Sequence, residues 1–196
     1  KVAMRDLEIR GAGSMIGEIQ SGHLEQVGYD TYCTLLDEVV KEIQGVEVEP
    51  EIDIQIDLNV TSYIPDEYIP DSAQKIEVYQ NIALCKKEED IQNVVDEIID
   101  RFGNMPSELE NLLDIARIKF LAKPFAISKI ASKRTAVVFA FEQSKYEIDL
   151  QKLIKAYGNR IKFSPGVKTM ITLDIGSTNE RQILNDVTEF LKQLSK

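Results

Sequence analysis

The sequence predicts an α+β fold in which a loop and a helix precede a compact domain of several helices and a small, mostly antiparallel sheet. Between residues 72 and 122 apolar residues recur every three or four positions, which is typical of helices. Over 52–60, and again after residue 136, the apolar pattern is that of strands. We therefore expect three parts: a first segment over 1–27, a connecting helix over 28–47, and an α+β domain over 48–196.

The first elements follow from the spacing of apolar residues. A three-four repeat predicts an amphipathic helix that ends near Gly45, through Val27, Tyr32, Leu35, Leu36, Val39, Val40 and Ile43. Over 52–60 apolar and polar residues alternate, which predicts a strand with one solvent-facing side. Pro65 and Pro70 restrict the residues before them, so we expect an ordered but non-helical connector over 64–71.

Three helices are predicted next. Asp71 or Ser72 can cap the first. The second is predicted by a regular apolar stripe that ends at Gly103, through Ile91, Val94, Val95, Ile98, Ile99 and Phe102. Pro106 suits the first turn of the third helix, whose apolar residues occupy two faces, and Pro124 ends it. We expect that third helix to be covered on two sides.

The remaining residues predict strands and two helices. Residues 136–141 form a buried-strand pattern, and Tyr146, Ile148 and Leu150 alternate behind it. Asp149 can cap a short helix that stops at Gly158. Strands over 160–163 and 168–175 are expected to form a hairpin about a Pro-Gly turn. Ser177 and Glu180 have the spacing of a capping box that opens the last helix.

Composition and charge limit the function classes. The chain has 196 residues, of which 43% are hydrophobic, and its longest apolar runs fall far short of the roughly 20 residues of a bilayer span. Two cysteines without a disulfide framework favour a reducing compartment, so we expect a cytoplasmic protein. The chain opens in mid-pattern, and we expect it to be a piece of a longer protein.

The charges are distributed unevenly along the chain. The net charge is −10, yet residues 37–110 hold 20 acidic and 5 basic residues, whereas residues 111–170 hold 4 acidic and 12 basic ones. Two interpretations remain open: two solvated faces, or a basic stripe that binds nucleic acid. The candidates for such a stripe lack the interleaved aromatic residues that stack on bases: Arg117, Lys119, Lys123, Lys129, Lys133 and Arg134.

A glycine array at Gly11, Gly13 and Gly17 raises the question of nucleotide binding. The charged residues before it make a poor central strand, Gly22 would interrupt a following helix, and no P-loop sequence occurs in the chain. The glycines more simply allow a tight turn from which Arg10 and Gln20 project. We expect no metal site, because the single histidine has no second ligand at a suitable spacing and the run at 88–90 suits the first turn of a helix.

The run over 5–13, with Gly17 and residues 20–22, resembles the translocation motif shared by RecG helicase and the bacterial transcription-repair coupling factor. Residues 63–72, 99–103 and 110–117 further resemble the C-terminal domain of the coupling factor, apart from Pro124-Phe125-Ala126, which replaces a more usual lysine-and-glycine connection. The resemblance implies that Arg10 and Gln20 couple ATP-driven movement to DNA. The upstream ATP-binding motifs are absent, so this piece should not hydrolyse ATP or need the ATP and magnesium of the parent.

For the C-terminal domain the resemblance implies a regulatory clamp. By this resemblance we expect the domain to pack against an N-terminal module similar to UvrB and to hide the surface that recruits UvrA, and we expect other parts of the parent to bind DNA and RNA polymerase. Glu97 and Asp100 match positions that pair with basic residues of that module, and we expect them to be partly desolvated or joined by apolar contacts and other pairs. The alternatives are an ordinary solvated helix face and a nucleic-acid-binding accessory domain of a RecG-like helicase.

Overall fold

The computed structural model describes residues 54–142, 148–164, 166 and 168–194. The predicted segments over 1–27 and 28–47, and with them Arg10, Gln20 and the glycine array, lie outside the described residues. Within the described part the helices are α1 (Ser72–Ala83), α2 (Glu88–Phe102), α3 (Ser107–Ala122), α4 (Leu150–Tyr157) and α5 (Glu180–Leu194). The strands there are β1 (Gln55–Asp57), β2 (Ile127–Lys133), β3 (Ala136–Phe141), β4 (Ile161–Ser164) and β5 (Thr169–Asp174).

The five described strands form one mixed sheet in the order β1-β2-β3-β5-β4. β1 pairs with β2 in parallel, and the other three pairings are antiparallel. The hairpin of β4 and β5 was predicted, with Ile171 and Leu173 on the buried side. Helices and a mostly antiparallel sheet confirm the predicted α+β class.

Two apolar clusters build the core, and α3 contributes to both. Ile115 and Ile118 of α3 pack with the sheet and α5, whereas Leu109 and Leu112 on its other side pack with α1 and α2. All four side chains are at most 6% exposed. The prediction that the third helix is covered on two sides is confirmed, and the molecule is therefore layered as sheet, then α3 with α5, then α1 with α2.

Strand β2 was not predicted, and its β-bulge explains why. The pairing with β3 shifts register between Ile127 and Lys129, so the buried residues Ile127 and Ile130 are three apart instead of two or four. A bulge adds one residue to a strand and breaks the two-residue alternation that identifies strands in a sequence. The preceding Lys123–Phe125 forms a 3-10 turn, which Ala126 closes in the left-handed region at φ 51°.

Two predictions about strands are wrong in part. Of the strand predicted over 52–60, the described residues 54–60 pair only over β1, because the Asn59 amide donates to the Ser132 hydroxyl oxygen (3.0 Å) and leaves the ladder. The alternation that included Leu150 is not a strand there. Leu150 is instead the first residue of α4, and the predicted helix that Asp149 caps and Gly158 ends is confirmed: the Asp149 carboxylate accepts from the Lys152 amide at 3.0 Å.

The beginnings of the other helices were predicted with mixed success. Asp71 caps α1 by accepting from the Gln74 amide (2.8 Å), as expected, and Pro106 stands one position before α3. The capping box predicted at Ser177 is wrong. Asn179 caps α5 instead, since its side-chain oxygen accepts from the Gln182 amide at 3.1 Å.

Candidate docking surface

The solvent-facing side of α2 carries most of the charge in the helical layer. The helix contains six acidic residues and one basic residue. Four of the exposed acidic residues lie on its outer side and are called here the acidic face: Glu89, Asp96, Glu97 and Asp100. Ile91 and Ile98 on the opposite side are buried, at 1% and 2% exposure, so they hold the helix against α1 and α3. The amphipathic spacing of the sequence thus directs the acidic face to solvent.

Glu97 is already engaged within the domain. Its carboxylate accepts from the Arg101 guanidinium (2.8 Å), one helical turn further on, and the same guanidinium donates to Glu77 of α1 at 3.1 Å. The hydrogen bond with Glu77, followed by that with Glu97, raises the pKa of Arg101. Glu97 remains about half exposed, at 45% of its side chain, so a second cation can still approach it.

Asp100 differs from Glu97 in having no such partner. It is exposed and makes no hydrogen bond or ion pair with any residue that the structure describes. It lies three positions after Glu97, which places both carboxylates on the same side of α2. The structure therefore brings the two sequence-predicted residues together on one exposed surface, and within the described part of the chain the charge of Asp100 has no partner.

Both ends of α2 are fixed by contacts that sequence reasoning did not find. At its end Gly103 adopts φ 83°, and its carbonyl oxygen accepts from the Tyr68 hydroxyl at 2.8 Å. At its start Glu88 accepts two hydrogen bonds of 2.7 Å from the Arg117 guanidinium of α3. Arg117 also pairs with Asp114, which accepts from Arg181 of α5 at 2.6 Å. Apart from Asp114 and Arg117, which are three positions apart on α3, these partners are distant in sequence, so no local pattern indicates them.

A second polar cluster joins the layers near the start of α5. The Glu180 carboxylate accepts from the Thr61 amide (3.0 Å), the Thr61 hydroxyl (2.8 Å) and the Asn111 side-chain amide (3.1 Å). Asn111 is 6% exposed and donates to the Thr61 carbonyl oxygen as well, at 2.9 Å. Glu180 therefore ties the segment after β1 to α3. It also lines an open groove of about 380 Å³ together with Leu58, Asn59, Val60, Thr61 and Thr178.

The basic residues proposed as a nucleic-acid stripe are not equivalent in the structure. Arg117 is held by the carboxylates of Glu88 and Asp114, and the hydrogen bond with Glu88 is the main cause that raises its pKa. Lys129 is half-buried on β2, whereas Lys133 and Arg134 are exposed at the turn before β3. Pairing with carboxylates makes Arg117 a poor phosphate ligand, because a phosphate would have to displace them.

Neither a metal cluster nor a membrane-spanning helix occurs among the described residues. No three side chains among their histidines, cysteines, aspartates and glutamates are grouped so that they could hold a metal ion. None of the described helices combines the length and the apolarity needed to cross a membrane.

Burial, with a smaller effect of Asp90, raises the pKa of the half-buried Cys85 thiol to about 11, which disfavours the thiolate.

Comparison with known proteins gives consistent results. Residues 58–153 match the family model of the TRCF domain. A transcription-repair-coupling factor of Bacillus subtilis is 36% identical over 200 residues, covering 99% of this chain and 17% of that protein. One of Staphylococcus haemolyticus is 41% identical over 135 residues, which are 68% of this chain and 12% of that protein. The chain thus spans less than a fifth of the length of these curated relatives.

A solved structure shows the same fold. It is a crystal structure of the C-terminal domain of a transcription-repair coupling factor, and it superposes with a TM-score of 0.66 at 24% sequence identity. The match covers 72% of this chain and 91% of that one.

Proposed function

Because this chain belongs to the transcription-repair coupling factor family and contains the C-terminal domain of such a factor, we propose that this domain is an autoinhibitory clamp in transcription-coupled DNA repair. In this proposal the acidic face of α2 packs against the N-terminal UvrB-like module of the same cytoplasmic protein. The clamp masks the surface that recruits UvrA until the motor rearranges.

The observation that supports the clamp most directly is the state of Asp100. An exposed carboxylate that has no partner among the described residues, beside a second carboxylate that is half exposed, gives α2 a negative surface that can receive cations. Complementary charges on a partner steer the encounter and fix its register more than they add affinity. A basic surface of the N-terminal module fits this requirement.

The strength that a clamp needs exceeds what two ion pairs supply. For the clamp to be closed in 99 of 100 molecules, the closed state must be more stable than the open state by about 2.7 kcal/mol. Exposed ion pairs contribute about 0.2 to 1 kcal/mol each, so Glu97 and Asp100 together supply at most about 2 kcal/mol. Glu97 supplies less than a free carboxylate, because part of its interaction with a partner replaces the interaction with Arg101. The proposal therefore needs a further, apolar contribution to the same contact.

The rest of the chain has a separate role in this proposal. Arg10 and Gln20 in the translocation motif couple ATP hydrolysis by the parent to movement on DNA, because a guanidinium and an amide can exchange several hydrogen bonds between moving lobes without proton transfer. The parent binds ATP, magnesium, DNA and RNA polymerase through other regions. The 196-residue chain alone is proposed to have no ATPase activity.

The direct test is the affinity of the full-length factor for UvrA. The substitutions Glu97→Gln and Asp100→Asn remove two charges while keeping the side-chain shapes. We expect them to lower the stability of the closed state relative to the open state by about 1.4 kcal/mol. This raises the fraction of open molecules, and with it the apparent affinity for UvrA, about tenfold. The matched control is Asp57→Asn with Glu189→Gln, which removes the same charge from exposed positions outside α2. An affinity equal to that of the control variant would reject the clamp.

A second set of measurements tests the alternative function, which is nucleic-acid binding. The purified chain is to be tested for binding to the isolated N-terminal module, for binding to duplex DNA at low salt, and for ATP turnover. Binding to the module alone supports the clamp. Binding to the duplex, weakened by neutralising Lys133 and Arg134, supports an accessory domain of a RecG-like helicase instead, and ATP turnover contradicts the proposed inactivity of the fragment.

A further inference from the structure

Ile99 is the residue of α2 whose position the sequence predicted least well. It belongs to the regular apolar stripe, yet its exposure is 46%, whereas its neighbour Ile98 is 2% exposed. α2 lies wholly within the described residues, and every other exposed residue of this helix is polar or charged. A single exposed isoleucine is common on protein surfaces. This one is notable because it borders the acidic face.

The neighbours of Ile99 place it at the edge of the surface that a docked partner would cover. Asp96 precedes it by three positions and lies beside it on the helix, whereas Val95 and Phe102, four positions before it and three after it, lie on its other side. Asp96 accepts from the Gln92 side chain (2.8 Å), one turn earlier on the same side. Ile99 thus lies at the edge of the acidic face, where hydrophilic groups meet the partly buried apolar residues Val95 and Phe102, as apolar and polar groups meet within an interface.

We infer that Ile99 is the apolar anchor of the docking surface, and that the partner presents an apolar socket bordered by cations. The inference rests on the proposed function. The negative charge beside Ile99 selects a basic surface, and the half of the side chain that is still exposed supplies the apolar burial that two ion pairs lack. The occupant is the N-terminal module of the same protein, since that is the basic partner which the clamp requires.

The test measures binding of the purified N-terminal module to the 196-residue chain. Ile99→Ala is expected to weaken binding about fivefold to tenfold, whereas Ile99→Met, which keeps the apolar volume, stays within about twofold. The control is Ile154→Ala, which shortens a comparably exposed isoleucine (53%) on α4 and should leave affinity unchanged. Unfolding curves of all three variants show whether the fold is retained, and Ile99→Gln provides a second variant should Ile99→Ala fold poorly.

Salt concentration separates the anchor from the carboxylates. Screening weakens interactions between exposed charges, so the loss caused by Glu97→Gln with Asp100→Asn should shrink at high salt, whereas the loss caused by Ile99→Ala should persist. Binding by Ile99→Ala equal to that of the unsubstituted chain, with weakened binding by the charge variant, overturns the anchor and leaves the clamp standing. Unchanged binding by both variants overturns the clamp and the anchor together.

Discussion

Glu180 is predicted to stabilise the domain as a hydrogen-bond acceptor between layers and not as part of a capping box. Its carboxylate receives three hydrogen bonds of 2.8 to 3.1 Å from Thr61 and Asn111. Glu180→Ala removes that acceptor. The Thr61 amide and hydroxyl lose their protein partner, while Asn111 keeps its bond to the Thr61 carbonyl oxygen.

The expected magnitude follows from how exposed these donors are. A hydrogen bond to a charged group is worth about 1.5 to 3 kcal/mol when it is buried. The Thr61 donors lie at an exposed site and can bind water, and Asn111 retains one partner, so the three bonds should not add fully. We expect Glu180→Ala to lower the free energy of unfolding by about 1 to 2 kcal/mol.

Two substitutions before α5 provide the comparison. The structure assigns the cap to Asn179, whose loss should cost about 1 kcal/mol, and Ser177→Ala should cost less than about 0.5 kcal/mol. Ser177 does accept from the Asn179 amide at 3.1 Å, but this bond lies outside the helix. A capping box predicts the opposite order, with Ser177 as the more sensitive position.

Urea unfolding followed by far-UV circular dichroism measures these differences. With a slope of about 1 to 3 kcal/mol per molar urea, a loss of 1.5 kcal/mol moves the midpoint by about 0.5 to 1.5 M. The reasoning is refuted if Ser177→Ala shifts the midpoint as far as Asn179→Ala does. It is also refuted if Glu180→Ala leaves the midpoint within 0.2 M, a margin of about 0.2 to 0.6 kcal/mol at these slopes.

Arg117→Met should lower the free energy of unfolding by about 1 to 2 kcal/mol, because it leaves the Asp114 carboxylate, which is 14% exposed, with Arg181 as its remaining described partner. Arg101→Met, whose carboxylate partners are about half exposed, should cost less than 1 kcal/mol in the same urea experiment, and the reverse order would contradict this reasoning. Cys85 should react with a disulfide reagent at pH 8 at least tenfold more slowly than a free thiol, since a raised pKa keeps it protonated. Measured in a variant whose other cysteine is serine, its rate should keep rising up to about pH 11, and a plateau near pH 9 would contradict the assignment.

The sequence predicted the helices better than the strands, for reasons that lie in particular residues. The stripe of α2 and the two faces of α3 persist over several turns, so periodicity identifies them. Ile127 and Ile130 are separated by a bulge, so the same test missed β2. At α5 both Ser177 and Asn179 are good capping residues, and sequence spacing alone preferred the wrong one.

The sequence likewise predicted only part of the candidate site. Glu97 and Asp100 could be placed on one exposed side of a helix because helical spacing is a local property. Glu77, which shares Arg101 with Glu97, lies on another helix, and no pattern within α2 indicates it. Ile99 was assigned to the core because the helical stripe is wider than the strip that α1 and α3 cover. The contact of Glu77 and the exposure of Ile99 both depend on how the helices pack against one another, which a local sequence pattern does not show.

The double burial of α3 also constrains how the proposed clamp opens. Detaching the layer of α1 and α2 from α3 would expose Ile91, Ile98, Leu109 and Leu112, which are 0% to 2% exposed. At about 1.5 to 3 kcal/mol for each side chain, that exposure costs at least about 6 kcal/mol, whereas the closed clamp requires about 2.7 kcal/mol. Separating the docked surfaces is therefore easier than deforming the domain. The domain should leave its partner as a rigid body, so hydrogen exchange in α2 and α3 should remain equally slow in the closed protein and in the Glu97→Gln, Asp100→Asn variant.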